Sequence, residues 1–228
     1  EPAALLILGS KEVFNKPEGV ATDGAGTIYV ADRNNDRVAV FTATGAFVRQ
    51  FGVSEKELKD KPGSLRLNKP KAVAVDGGGN IYIADTNNSR VLKLSATGYI
   101  LLELGRKEIS GKGEAQFKNG NALGEFNKPS GLALDPSGDI YVSDTNNHRV
   151  QKFGPDGSFI LAFTLPPAPD EPGEEEEEDE ELAKPELGEP VGIALDGAGN
   201  IYVADKEGDR ALKYSPEGTL LFTFGAKG

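Results

Sequence analysis

Apolar and polar residues alternate along most of this chain in runs of about five. Ile28-Tyr29-Val30-Ala31-Asp32 is followed after a polar break by Arg37-Val38-Ala39-Val40-Phe41, and after another by Phe47-Val48-Arg49-Gln50-Phe51. Short runs with a period near two, bounded by turn residues, predict strands rather than helices. The breaks carry the chemistry of tight turns. Asp-Gly-Ala-Gly and Asp-Pro-Ser-Gly lie between the first and second runs, and Thr-Gly, Asp-Gly and Glu-Gly between the third and fourth. Their glycines supply the positive φ that hairpins need.

The pattern then repeats. KPEGVATDGAGTIYVADRNNDRVAVFTATGAFVRQFG returns as KPKAVAVDGGGNIYIADTNNSRVLKLSATGYILLELG, as KPSGLALDPSGDIYVSDTNNHRVQKFGPDGSFILAFT, and as EPVGIALDGAGNIYVADKEGDRALKYSPEGTLLFTFG. In every copy the proline (Pro17, Pro70, Pro129, Pro190) precedes an aspartate (Asp32, Asp85, Asp144, Asp205) by 15 residues, and an arginine (Arg37, Arg90, Arg149, Arg210) follows five residues later. Each unit holds four strand-type runs and no helical periodicity, which predicts an all-β fold: a β-propeller of four-stranded antiparallel blades. The blades are expected over about 16–52, 68–105, 127–164 and 188–225 of a single domain, 1–228. Ala4–Gly9 matches a fourth strand without its first three. This surplus N-terminal strand is expected to be the remnant of a further blade, an added edge strand, or a strand given to a neighbouring molecule. A closed ring of four blades and an incomplete array that closes by association both fit.

The motif Lys-Pro-x-Gly-Val/Leu-Ala-x-Asp, then Gly-x-Ile-Tyr-Val-Ala/Ser-Asp-Thr-Asn-Asn-His-Arg-Val, closely resembles the NHL repeat. Asn147 and His148 of the third unit stand at the signature positions, and the likeness covers about 150 of the 228 residues. Two departures stand out. The family implies about six blades and four are found, and Lys206-Glu207-Gly208-Asp209 replaces Thr-Asn-Asn-His in the fourth unit.

Composition changes the picture in two places. Cysteine is absent, which excludes disulfides, thiolate metal sites and cysteine nucleophiles. No stretch approaches the roughly 18 apolar residues of a membrane span, so none is expected. The net charge of −11 is local: between Leu165 and Pro190 twelve acidic residues face Lys184, also −11, and the remainder has 24 residues of each sign. This acidic loop, 165–190, is the longest of the inserts between units. The distances from Gly9, Gly52, Gly105 and Thr164 to the following repeat proline (Pro17, Pro70, Pro129, Pro190) are 8, 18, 24 and 26 residues, and in an antiparallel blade all of these links emerge on one face. The Asn-Asn loops share that face, which makes it the candidate interaction surface. Its candidate binding residues are Arg33, Asn34, Asn35, Asn87, Asn88, Asn146, Asn147 and His148. Val53–Lys69 and Arg106–Lys128 each sum to +2, so these inserts are expected to attract the acidic one or a loop of another molecule.

The candidate chemistry is sparse. Glu174–Glu181 reads as a solvated acidic tract, a dock for a basic partner, or a calcium site through Glu174, Glu175, Glu176, Asp179 and Glu180. The Asp…Arg pairs (Asp32–Arg37, Asp85–Arg90, Asp144–Arg149, Asp205–Arg210) occur in all four units, whereas a catalytic group need occur once; they are expected to be architectural. The resemblance implies that some NHL-like propellers are enzymes, either amidating lyases with several histidines on a metal or hydrolases with axial calcium. His148 is the one histidine, too few for the former. RNA recognition wants a basic face with aromatic platforms, and the loop-rich face sums to an acidic one, so no nucleic acid is expected. The reading is a non-enzymatic protein-binding or self-assembly module acting through its loop-rich face and strand edges. No cofactor is expected, although calcium stays open, and the partner is a protein, including a second copy. The alternative is a calcium-dependent hydrolase or lyase with a site on the axis. The missing initiator methionine and the usage of the family point to an extracellular or cell-surface bacterial setting.

Overall fold

The computed structural model describes residues 14–54, 57, 59–61, 63–109, 115–167 and 188–225. Four antiparallel sheets follow one another, each ordered as its strands occur in the chain. Blade 1 comprises β1 (Pro17–Thr22), β2 (Ile28–Asp32), β3 (Arg37–Phe41) and β4 (Phe47–Phe51). Blade 2 comprises β5 (Ala72–Val75), β6 (Ile81–Asp85), β7 (Arg90–Leu94) and β8 (Ile100–Leu104). A two-stranded hairpin, β9 (Arg106–Ile109) with β10 (Ala115–Lys118), then intervenes. The sequence reading treats this stretch as loop; its ladder carries Phe117 beneath the cations of Arg90 and Lys107, at 5.2 and 5.7 Å from the ring centre. Blade 3 comprises β11 (Pro129–Leu134), β12 (Ile140–Asp144), β13 (Arg149–Phe153) and β14 (Phe159–Thr164), and blade 4 comprises β15 (Pro190–Leu195), β16 (Ile201–Asp205), β17 (Arg210–Tyr214) and β18 (Leu220–Phe224). The fold is a β-propeller, and the first strands of all four blades line a common axial cavity.

Because side chains alternate across a strand, each blade has two unlike faces. On one, the tyrosine of the second strand lies between a first-strand alanine and a third-strand residue that is Val40 in blade 1 and a lysine (Lys93, Lys152, Lys213) in the others. On the other stand the isoleucines and leucines, as Ile83 lies opposite Val73 and Leu92. The seams join unlike faces. Tyr29, Ala31, Val38 and Val40 of blade 1 bury against Ile81, Ile83, Leu92 and Leu94 of blade 2. The tyrosine face of blade 2 meets Ile140, Val142 and Phe153 of blade 3, and that of blade 3 meets Ile201, Val203 and Leu212 of blade 4. Leu67 and Phe126, from the links before blades 2 and 3, complete their seams. Apolar burial of this kind contributes roughly 25 cal/mol per Å² and holds the blades together without any shared ladder. Among the described residues no hydrophobic cluster joins blade 4 to blade 1.

Candidate functional site

The loop between the second and third strands is built on the repeated aspartate. Asp85 is fully buried and accepts three hydrogen bonds: from the Asn68 backbone N–H at 2.7 Å, the Asn88 amide at 2.8 Å and the Arg90 Nε at 2.7 Å. Asp32 holds Asn15, Asn35 and Arg37 in the same way, at 2.8, 2.7 and 2.8 Å. Asp144 holds Asn127, Asn147 and Arg149 at 2.8, 2.9 and 2.8 Å, with Gln151 as a fourth donor at 3.0 Å. Asp205 takes the Glu189 and Gly208 N–H groups and Arg210. One carboxylate therefore ties the entering link, the loop and the third strand together, which is why it recurs. Burial pushes the Asp85 carboxyl up, and Arg90 and the amide donors pull against it; burial raises Asp144 likewise.

The loop residues form single 3₁₀ turns, Arg33–Asn35, Thr86–Asn88 and Thr145–Asn147, each closed by a left-handed residue: Asp36, Ser89 and His148 at φ 52°, 50° and 55°. The side chains singled out in the sequence divide by task. Asn35, Asn88 and Asn147 point their amides at the aspartate. Asn34 and Asn87 reach the side chains of Asn15 and Asn68, both at 3.2 Å, and Asn146 is exposed. Arg33 pairs with Glu18 at 3.1 Å. His148 places Nδ1 3.3 Å from the Gly188 carbonyl, across the seam from blade 3 to blade 4. Thr86 and Thr145 donate across the seams to the Pro129 and Pro190 carbonyls, at 2.7 and 2.8 Å. Glu174, Glu175, Glu176, Asp179 and Glu180, like Ala4–Gly9, lie outside the described residues.

A second repeated carboxylate escaped the sequence reading. Asp76 caps the turn between first and second strands through the Gly78 and Asn80 N–H groups, both at 2.9 Å, and accepts the Tyr82 hydroxyl at 3.1 Å. Asp23, Asp135 and Asp196 do the same for Tyr29, Tyr141 and Tyr202. The signal was available as an aspartate six residues before each second-strand tyrosine. At Asp196 the Asn200 side chain, against some desolvation, and then the turn's N–H groups hold the carboxyl down at about 2.

Two cavities adjoin the repeated loops and the axis. One, of about 850 Å³, opens on the loop-rich face between blade 2 and the β9–β10 hairpin. Arg66, Asn87, Tyr99, Ile100, Gln116 and Lys118 contribute to its wall, and Tyr99 is 75% exposed. Sequence reasoning missed this site because the hairpin that forms one wall had no repeat to announce it. The other, of about 470 Å³, lies on the axis, where Glu18, Lys71, Ser130 and Lys206 join the first-strand backbone. Calcium takes six to eight oxygen ligands. Two lysines in the lining, with Lys206 paired to Glu189 at 2.9 Å and the Glu18 carboxylate paired with Arg33, do not make that donor set. Among the described residues no three His, Cys, Asp or Glu side chains gather as cation ligands, and no helix is long and apolar enough to cross a membrane.

Residues 14–41, 67–94 and 126–153 match the NHL repeat family. A probable peptidyl-α-hydroxyglycine α-amidating lyase of Caenorhabditis elegans is 26% identical over 72% of this chain and 38% of its own length. NHL repeat-containing protein 3 of Homo sapiens is 28% identical over 66% of this chain and likewise 38% of its own. The chain thus spans less than two-fifths of the length of either relative. A solved streptogramin B lyase superposes with a TM-score of 0.58 at 16% identity, over 90% of this chain and 53% of that one; it shares the fold.

Proposed function

We propose that this chain, a β-propeller of NHL repeats, is a protein-binding module that works without catalysis and takes an acidic segment of a partner in the cavity of its loop-rich face. The composition of that cavity carries the reading. Lys118 offers charge to carboxylates, the Gln116 amide offers hydrogen bonds to a peptide backbone, and exposed Tyr99 and Ile100 offer an apolar anchor. Aromatic and arginine anchors within a polar rim are what protein interfaces use. The repeated aspartates and arginines support the same view from the other side, since their hydrogen bonds are spent on the loops. With a net charge of −11, the chain as a whole has no general attraction for a polyanion, so uptake of one would have to be local.

The test is fluorescence anisotropy with a labelled glutamate-rich peptide. Saturable binding that weakens with salt, and about tenfold or more in the double variant Lys118→Glu with Tyr99→Ala, is the expected result. Absence of saturation, or unchanged binding by the double variant, removes the reading.

A second reading, an enzyme with a site on the axis, draws support from the lyase among the relatives. Its calcium-dependent form has the axial donor set against it. Turnover of a peptidyl-α-hydroxyglycine by this chain, lost on Lys71→Ala with Lys206→Ala, would favour an axial lyase over the binding module.

A further inference from the structure

We infer that the loop-rich cavity continues across the rim of the seam between blades 1 and 2 into a second pocket, where Arg49 receives a further carboxylate of the acidic partner segment. The segment then lies extended along both. This rests on the acidic-segment reading above and adds a second point of contact to it, so the two fail by different measurements.

The second pocket, of about 580 Å³, lies between β4, the insert that follows it and the turn from β7 to β8. Ser64, Leu65 and Gly98 border both cavities, so the two are neighbours across one ridge. Gly98 forms the crest. It packs so closely on the Phe51 ring that an added Cβ would lie 3.0 Å from Cε1, and its φ of 98° is one that a residue with a side chain rarely adopts. With no side chain on the crest, an extended segment can run from Tyr99 on one side to Phe47 on the other.

The repeat shows what is unusual about Arg49. In blades 2, 3 and 4 the third strand places a lysine beside the tyrosine, and the fourth-strand partner is apolar: Lys93 with Leu102, Lys152 with Leu161, Lys213 with Phe222. Those lysines lie over the tyrosine rings at 5.2, 4.9 and 5.1 Å. In blades 3 and 4 turn carboxylates pair with them, Asp139 with Lys152 at 2.9 Å and Asp196 with Lys213 at 3.6 Å. Blade 1 reverses the order, with Val40 on the third strand and Arg49 on the fourth. The cation therefore stands one strand, about 5 Å, further out. It lies over the Phe51 ring at 4.8 Å and donates through Nη2 to the Ala96 carbonyl of blade 2. These contacts fix the guanidinium without neutralising it. Among the described residues it has no carboxylate partner, and its Nε has no hydrogen-bond partner. Closing the seam does not call for arginine, since leucine serves at this position in blades 2 and 3. The one carboxylate in the pocket lining, Glu57, is engaged by the Ser54 N–H and hydroxyl at 3.1 and 3.0 Å and by Lys61 at 3.6 Å. A fixed, uncompensated guanidinium is suited to a carboxylate, and Lys118 offers the same charge beyond the crest.

Anisotropy with two labelled glutamate-rich peptides tests the inference. One of about five residues spans roughly 17 Å when extended, and one of about twelve spans roughly 40 Å. The longer should bind about tenfold or more tightly than the shorter. Arg49→Leu, which copies blades 2 and 3 and so keeps the seam closed, should weaken the longer peptide about tenfold and change the shorter by less than about twofold. Lys118→Glu with Tyr99→Ala should weaken both. Equal affinity for the two peptides overturns the inference, as does binding of the longer one that is indifferent to Arg49→Leu; the cavity reading survives either result, because the shorter peptide still depends on Lys118 and Tyr99. Equal weakening of both peptides by Arg49→Leu also overturns it, since Arg49 would then support the fold rather than meet the partner. Failure of both peptides to bind overturns the cavity reading and this one with it.

Discussion

Single carboxylates organise this protein, and they do so in two environments. Those that end the second strand are buried among an arginine and amide donors; those in the turns are partly exposed and are held by backbone N–H groups. The second kind makes a test of sign possible. Asp196 is held down at about 2, against about 4 for an aspartate in an unfolded chain. A lowered carboxyl stabilises the folded state above the unfolded value and loses that contribution as the pH falls through the folded one. Asp196→Asn should therefore lower the urea midpoint at neutral pH, and its difference from wild type should shrink between about pH 4 and pH 2. A difference that stays constant through that window would show that charge on Asp196 is not what secures the turn. The exposure of this group makes the effect small and salt-sensitive.

At the level of elements, the innermost strand decides how closely blades approach. The residue two after the repeat proline faces the next blade. A Cβ added to Gly131 would lie 2.2 Å from the Val191 carbonyl oxygen, and one on Gly19 would lie 2.6 Å from that of Lys71. At the equivalent Gly192 the nearest atom is the Ala204 methyl at 3.6 Å, an ordinary contact. Gly131→Ala should force the first strands of blades 3 and 4 apart and destabilise by roughly 1–3 kcal/mol, as overpacking does. Gly192→Ala should be neutral or stabilising by up to about 1 kcal/mol, through the unfolded chain. Equal losses from the two variants, measured by urea unfolding, would refute the assignment of the strain to the seam.

In the whole molecule, stability is a chain of nearest-neighbour seams rather than one central core. Blades 2 and 3 have both faces covered, and β18 is exposed along its length. Hydrogen exchange should be slowest in β6 and β12 and fastest in β17 and β18, since local opening follows the apolar contact it must break. Protection in β17 and β18 equal to that in β6 at low concentration would mean that the terminal blade is secured by something other than its one seam.

The residues of the repeat were enough to establish the blades, their strands and the identity of the paired aspartates and arginines. All of these depend on short-range periodicity and fixed spacing, which a sequence displays directly. The role of the tyrosine also lay within the repeat, six residues from an aspartate that was not connected to it. What the sequence left open was decided by packing between units. The 106–118 insert becomes a hairpin because Phe117 finds Arg90, a residue of the preceding blade. The loop-rich cavity exists because that hairpin stands beside blade 2, and Lys71 and Lys206 meet on the axis only because four separate first strands converge there.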